Sequence, residues 1–265
     1  MSTQTIRGVV HDQVIVPEVP LPEGQWVAIT APRTVKDVLA ELAAGEAPLV
    51  RGDYLSLDEF LQRWEQMPGL KRAELIRGVV YLPSPVSLPH AVMDQNVGGW
   101  LVAYRAATPG VGGATNATVV MGEADAPQPD NSLYILPEYG GRVTMRGNQL
   151  PGAPDFLEET CVTSASFDLH QKLEVYQETG VQEYMAVILS RKEVRWHRLV
   201  NGRFEVQPAP ADGVYRSAVF PGLWLDAAAL LAGDLARVLA VVAQGTKSPE
   251  HAEFVRQLAQ RRQGS

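Results

Sequence analysis

Apolar and polar positions along this chain switch between a two-residue and a 3.6-residue period, and the switches outline its elements. Near the start, IRGVV and VIVPE are β-branched runs on either side of His11-Asp12, and WVAIT follows the turn-rich PLPEG. Residues 6–30 therefore read as a small β unit. Thr34 then opens a short helix, TVKDVLAELAAG, which Gly45 can end. GEAPLVRGD reads as a connector, so a boundary is expected near residues 46–51, with a small β module plus short helix at 1–47.

Beyond the connector, Ser56 and Glu59 have the spacing of a capping box at the head of SLDEFLQRWEQM. ELIRGVVYLP, which begins at Glu74, is two short β runs with Arg77-Gly78 between them, a hairpin pattern. Over residues 89–107, Val97, Trp100, Leu101 and Tyr104 share one helical face, and Pro109-Gly110 stops the helix. ATVVMG and NSLYIL read as strands, followed by the Gly-rich loop YGGRVTMRGNQLPGAPD and the strand FLEETCV. A helix within SASFDLHQKLEVYQET comes next, then strands YMAVILS and EVRWHRLV, with Asn201-Gly202 turning the chain into FEVQP. Residues 226–243, rich in Ala and Leu, read as one helix. Ser248-Pro249-Glu250 begins another, with a cap, a proline at N1 and an acid in the first turn. Strands interleaved with helices predict an α/β (α+β) fold, a mixed β-sheet flanked by helices, rather than a helical bundle. A main domain is expected at 51–245 and a C-terminal helical tail at 246–265.

Composition narrows the class. At 265 residues and 46% hydrophobic, the chain can bury one large core, or one medium and one small. The apolar run around Leu239 is interrupted by Arg237 and Gln244 and falls short of a membrane span. No secretory pattern is read at the N-terminus. The single Cys161 excludes an intrachain disulfide and fits a reducing, cytoplasmic setting. A net charge of −7 argues against nonspecific coating of nucleic acid, while leaving room for a local basic groove. The five histidines show neither HxxxH nor HxH spacing, which argues against a zinc site.

The candidate chemistry begins with a lysine in an apolar pattern. Leu169, Lys172, Leu173 and Tyr176 follow the i, i+3, i+4, i+7 rule, so an ammonium is expected on a packed face. Two readings stand at this point. The stem snorkels with its head in water, or the charge meets a carboxylate or a substrate anion that offsets its desolvation. Asp130 in APQPDNSLYI and Glu159 in PDFLEETCV are the carboxylates just upstream. Glu158 lies beside Glu159, and successive strand residues point to opposite faces, so one of the two is expected to be exposed. Asp168 in the first helical turn reads most simply as a dipole-matching acid. His90, beside Pro89, starts its helix or reaches a phosphate, with the structural role preferred.

Taken together, ELIRGVVY, QPDNSLYILPEYGG, APDFLEETCVTSASFDLHQKLEVYQETGVQEYMAV and FPGLWLDAAALLAGD resemble one family. It is the Uma-type group of bacterial endonucleases within the PD-(D/E)XK restriction-endonuclease-like superfamily, over about residues 52–256. The resemblance implies a restriction-endonuclease-like core and Mg²⁺-dependent hydrolysis of DNA phosphodiester bonds, with Mn²⁺ able to substitute. By motif match, Asp130 takes the aspartate position, Glu159 the second acid and Lys172 the lysine, and Glu74 matches the acid before the first hairpin. Asp130, Glu159 and Glu74 would then be metal ligands and Lys172 the catalytic cation. The superfamily's lysine two residues after the acid is replaced here by Cys161, and Lys172 from the following helix takes that role. Glu158, Thr160, Asn131 and Ser132 also stand where relatives carry apolar or small residues. Residues 5–30 resemble, separately, a small antitoxin-type β module.

The partners expected on this reading are DNA and a second copy of the chain, a homodimer, with no membrane. The N-terminal module would serve assembly or a protein partner. A rival reading is a nuclease-fold protein with weakened catalysis acting as a binding or antitoxin-like regulator. Paired-carboxylate glycoside hydrolysis, a third, would need no lysine and prefers an aromatic-lined cleft.

Overall fold

The computed structural model of the chain describes residues 8–11, 14–17, 48–83, 86–144, 149–162 and 171–263. Two units divide it, Met1–Ala47 and Pro48–Ser265. In the first, β1 (Gly8–His11) pairs antiparallel with β2 (Val14–Pro17), Gly8 opposite Pro17 and His11 opposite Val14. The strand expected at WVAIT and the helix expected at 34–45 lie outside the described residues.

The second unit opens with α1 (Leu57–Glu65), whose start carries both halves of a capping box. Glu59 N donates to Ser56 Oγ, and Ser56 N donates to a Glu59 carboxylate oxygen. Two of the orphan amides of the first turn are thereby satisfied. The hairpin of β3 (Glu74–Ile76) and β4 (Val79–Tyr81) follows. Its turn residues Arg77 and Gly78 have φ of 51° and 77°, the left-handed pair that a two-residue turn requires. Phe60, Leu75, Val80 and Ala126 close a small core beneath it.

The main sheet has six strands in the order β12-β11-β10-β9-β7-β5. They are β5 (Val111–Thr115), β7 (Asn131–Ile135), β9 (Phe156–Cys161), β10 (Glu183–Ile188), β11 (Glu193–Val200) and β12 (Arg203–Val206). β9 and β10 run parallel and the other neighbours antiparallel. Two further short strands, β6 (Val119–Val120) and β8 (Leu150–Pro151), pair with each other. Helix α2 (Leu88–Ala106) covers one face of the sheet and α3 (Gln171–Glu178) the other.

β10 shows how the sequence assigns the faces. Tyr184, Ala186 and Ile188 pack with Val175 and Tyr176 of α3, while Met185 and Val187 pack with Trp100 and Tyr104 of α2. Both faces are covered, which is why EYMAVI reads as a near-continuous apolar run rather than an alternating one.

The structure departs from the sequence expectations in three places. VGGAT forms β5, where no element was expected. A Cβ at Gly112 would meet the Tyr134 ring at 2.4 Å, and one at Gly113 would meet the Ser132 carbonyl oxygen at 2.8 Å, so the edge strand packs closely because it lacks side chains there. VYR and WLD form a ribbon, β13 (Val214–Arg216) and β14 (Trp224–Asp226). The single helix expected over 226–243 is two, α4 (Ala227–Ala232) and α5 (Leu235–Gly245). Gly233, at φ 75°, ends the first in the left-handed conformation, and Asp234 caps the second by accepting from Arg237 N. The helix expected to begin at Ser248-Pro249 forms as α6 (Pro249–Gln263), and its Phe254 and Leu258 enter the α2-side core.

Among the described residues no helix is long and apolar enough to cross a membrane.

Candidate active site

Strand alternation sets the first half of the site. On β9, Leu157, Glu159 and Cys161 face α3 and share that side with Tyr134 and Tyr184. Glu159 is buried there at 3% exposure. Two α3 side chains, four residues apart on one helical face, meet its Oε1: Lys172 Nζ at 3.0 Å and the Tyr176 hydroxyl, donating at 2.7 Å. Lys172 Nζ also lies 2.8 Å from Glu74 Oε1. That same oxygen accepts from Gln128 N at 2.7 Å, which ties β3 to the segment leading into β7. Lys172 is 3% exposed, so its charge is not in water. The snorkelling alternative is thereby overturned: two carboxylates close enough to offset desolvation keep the ammonium inside.

Asp130 closes the lead-in to β7. Its Oδ2 accepts from Thr160 N at 2.9 Å and lies 3.1 Å from His90 Nε2. Its Oδ1 lies 3.5 Å from an Arg72 nitrogen. Burial alone would raise this carboxyl, but the hydrogen bond and charge of His90, the Thr160 amide and the nearby Lys172 charge together hold it below the usual aspartate range. His90 moves the other way. Its bond to Asp130, ahead of the opposing cost of burial, raises the imidazole above its ordinary value. His90 thus does more than start α2, the role preferred from sequence.

The opposite face of β9 carries a second polar set. Glu158 and Thr160 point toward α2, where Glu158 is fully buried. Glu158 accepts from Asn131 Nδ2 at 2.9 Å and from Thr160 Oγ1 at 2.9 Å. Asn131 Nδ2 also donates to Asp94 Oδ1 at 2.6 Å, while its Oδ1 accepts from Thr115 at 3.1 Å. Burial first, and the charges of Asp130 and Asp94 after it, push Glu158 well above the usual glutamate range. Burial and Asp130 likewise raise Asp94.

The structure therefore brings Glu74, Glu159 and Lys172 into direct contact and places Asp130 within reach of the Lys172 charge. It corrects the expectation that Glu158 or Glu159 is exposed: both are buried, because helices cover both faces of the sheet. Asp168 and Leu169 lie outside the described residues. The sequence reading passed over Tyr176 as a hydrogen-bonding residue, Arg72 and Asp94. The signal for Tyr176 and Asp94 was helical spacing, four residues beyond Lys172 and His90 respectively.

Carboxylate oxygens are the hard donors that Mg²⁺ takes, so the chemistry of Glu74, Asp130 and Glu159 fits such an ion. Among the described residues, however, no group of three or more His, Cys, Asp and Glu side chains is arranged as a ligand set. Lys172 stands where two of these carboxylates converge.

Comparison with known proteins bears on this arrangement. A family model described as "Putative restriction endonuclease" matches residues 57–228, more than half of the chain. A crystal structure described as a "putative nuclease belonging to DUF820", from Anabaena variabilis, superposes with a TM-score of 0.50 at 18% identity. The match covers 67% of this chain and 99% of that one. At that identity it shows a shared fold, the mixed sheet flanked by helices. A search among curated proteins finds no match. The chain belongs to the Uma2 family of restriction-endonuclease-like proteins.

Proposed function

We propose that the protein is a metal-dependent endonuclease that hydrolyses phosphodiester bonds of DNA. One observation carries the reading: two buried carboxylates, Glu74 and Glu159, share one buried lysine from the crossover helix, and a third, Asp130, is buried within reach of its charge. Burying that much unlike charge is costly unless the groups are used. Asp130, Glu159 and Glu74 would hold Mg²⁺, or Mn²⁺ in its place. The ion when bound supplies Lewis acidity and positive charge for hydrolysis of a phosphodiester.

The chain's own residues set the stage. Tyr176 fixes the Glu159 carboxylate and Thr160 N fixes that of Asp130, so both oxygens are oriented before substrate arrives. Lys172 carries the fixed cation that favours negative charge developing on the phosphate. Cutting both strands of a duplex calls for two such sites, which makes a homodimer part of the reading.

The test is cleavage of plasmid and linear DNA with Mg²⁺, with Mn²⁺ and in EDTA, beside an RNA of matched sequence. Divalent metal should be required, and Asp130→Ala should abolish cutting. Undiminished cleavage by that variant sinks the site, and equal activity in EDTA sinks the metal. A second reading, a nuclease-fold binding or regulatory protein, is favoured by the Lys172 ammonium occupying the meeting point of Glu74 and Glu159. Duplex binding without cutting under any divalent metal would select it.

A further inference from the structure

The cations around the carboxylates are held with very different firmness. Lys172 is buried and shared by two acids. His90 sits 3.1 Å from Asp130, with only 16% of its side chain exposed. Arg72 stands apart. Its single ion-pair contact is long, 3.5 Å to Asp130 Oδ1, and its side chain is 29% exposed. No described residue accepts a hydrogen bond from its guanidinium, although that group carries five donors in a planar fork. Its backbone is nevertheless well placed. Ala73 beside it is fully buried, and Glu74 one residue further is fixed by Gln128 N.

Electrostatics says what such a residue is for. Glu74, Asp130 and Glu159 make this end of the sheet acidic, and the whole chain carries −7. A phosphodiester approaching it meets like charge unless a cation stands at the solvent side. Arg72 is the half-exposed cation beside Asp130, and a guanidinium fork matches two phosphate oxygens.

We propose that Arg72 is a substrate-binding residue, which leaves Asp130 and takes the non-bridging oxygens of a nucleic-acid phosphate at this site. The inference rests on the nuclease reading and adds to it the group that recognises the phosphate. On this account the long contact to Asp130 is a resting position of the fork.

The experiment measures binding and cutting separately, in the full chain. A fluorescein-labelled duplex is titrated in EDTA against the wild type, Arg72→Gln and Arg72→Lys, over a range of salt concentrations. Arg72→Gln should weaken binding about tenfold, and the slope of log affinity against log salt should fall by about one. Arg72→Lys should keep the slope while recovering part of the affinity, since it keeps the charge and loses the fork. In Mg²⁺, Arg72→Gln should raise KM more than it lowers kcat. If Arg72→Gln binds duplex with unchanged affinity and slope, whatever happens to its melting temperature, the residue serves Asp130 alone and the proposal falls. It falls equally if the wild type binds no duplex. If the wild type binds but never cuts, while Arg72→Gln loses binding, the nuclease reading fails and the phosphate assignment stands.

Discussion

The two faces of β9 solve the burial of an acid in opposite ways. On the α3 face Glu159 is met by an ammonium and a phenol, with Glu74 on the far side of the same lysine. On the α2 face Glu158 is met by a carboxamide and a hydroxyl, and Asp94 shares the carboxamide. The first set offsets burial with opposite charge, an ammonium shared between two carboxylates. The second uses neutral donors and leaves like charges close together, so a proton rather than a counter-ion settles it. Identical residues one position apart thereby acquire a charged partner in one case and neutral partners in the other. Neighbouring helices, not residue type, make the difference.

The largest effect that would break this contrast is at Lys172. Lys172→Met removes the ammonium that two buried carboxylates share, and breaking a buried pair in this way costs about 3–5 kcal/mol. Thermal melting should show that loss, with Mg²⁺ recovering part of it and Glu74→Gln in the same chain recovering more. Cleavage should drop on the order of a hundredfold, as for loss of one electrostatic donor. An unchanged melting temperature would mean the pair contributes nothing.

Glu158 should respond in the other direction. Its folded-state pKa is raised, so between the ordinary glutamate value of 4.5 and the folded value the native state holds more protons than the unfolded chain. Stability therefore falls as pH rises through that window. Glu158→Gln keeps donors and acceptors for Asn131 and Thr160 and removes the charge. The variant should melt above the wild type at pH 8, by roughly 2–4 °C for each kcal/mol recovered in a chain of this size. The gap should close as pH falls toward 4.5. A lower melting point at pH 8 would show that Glu158 is ionised and paired.

Smaller effects sharpen the picture. Tyr176→Phe removes one donor to Glu159 while Lys172 remains, an expected cost of about 1–2 kcal/mol on denaturant unfolding. Glu178 meets Arg77 at 2.8 Å on the surface, with both side chains about half exposed. Glu178→Gln should change stability by no more than about 0.5 kcal/mol and leave cleavage untouched. A loss as large as that of Tyr176→Phe would make the Arg77 turn a true clamp on α3.

Much of this was legible from local chemistry. The capping box at Ser56, the Arg77-Gly78 and Asn201-Gly202 turns, and the start at Ser248 each depend on a few adjacent residues. The set Glu74, Asp130, Glu159 and Lys172 came from the family resemblance rather than from local chemistry, and the structure puts Glu74 and Glu159 against Lys172. What escaped depends on partners remote in sequence. Gly112 and Gly113 hide β5 because a strand that needs close approach shows no period of its own. The burial of Glu158 follows from α2 lying over it, and Asn131, Glu158 and Thr160, odd residues when taken singly, bond to one another. Gly233 splits a helix whose composition argued for continuity.

Because β9 and β10 run parallel, the chain must travel back along the sheet between Cys161 and Glu183, and α3 lies on that return. Glu159 comes before the return, Lys172 rides within it, and Glu74 belongs to a hairpin made far earlier. Closing such long loops costs entropy before any contact rewards it, so these pairings form late. A chain still emerging from synthesis holds its acids with no lysine beside them until residue 172 is out and β10 has paired. The two acids and their lysine are thus brought together only by the finished sheet, not by any stretch of chain alone.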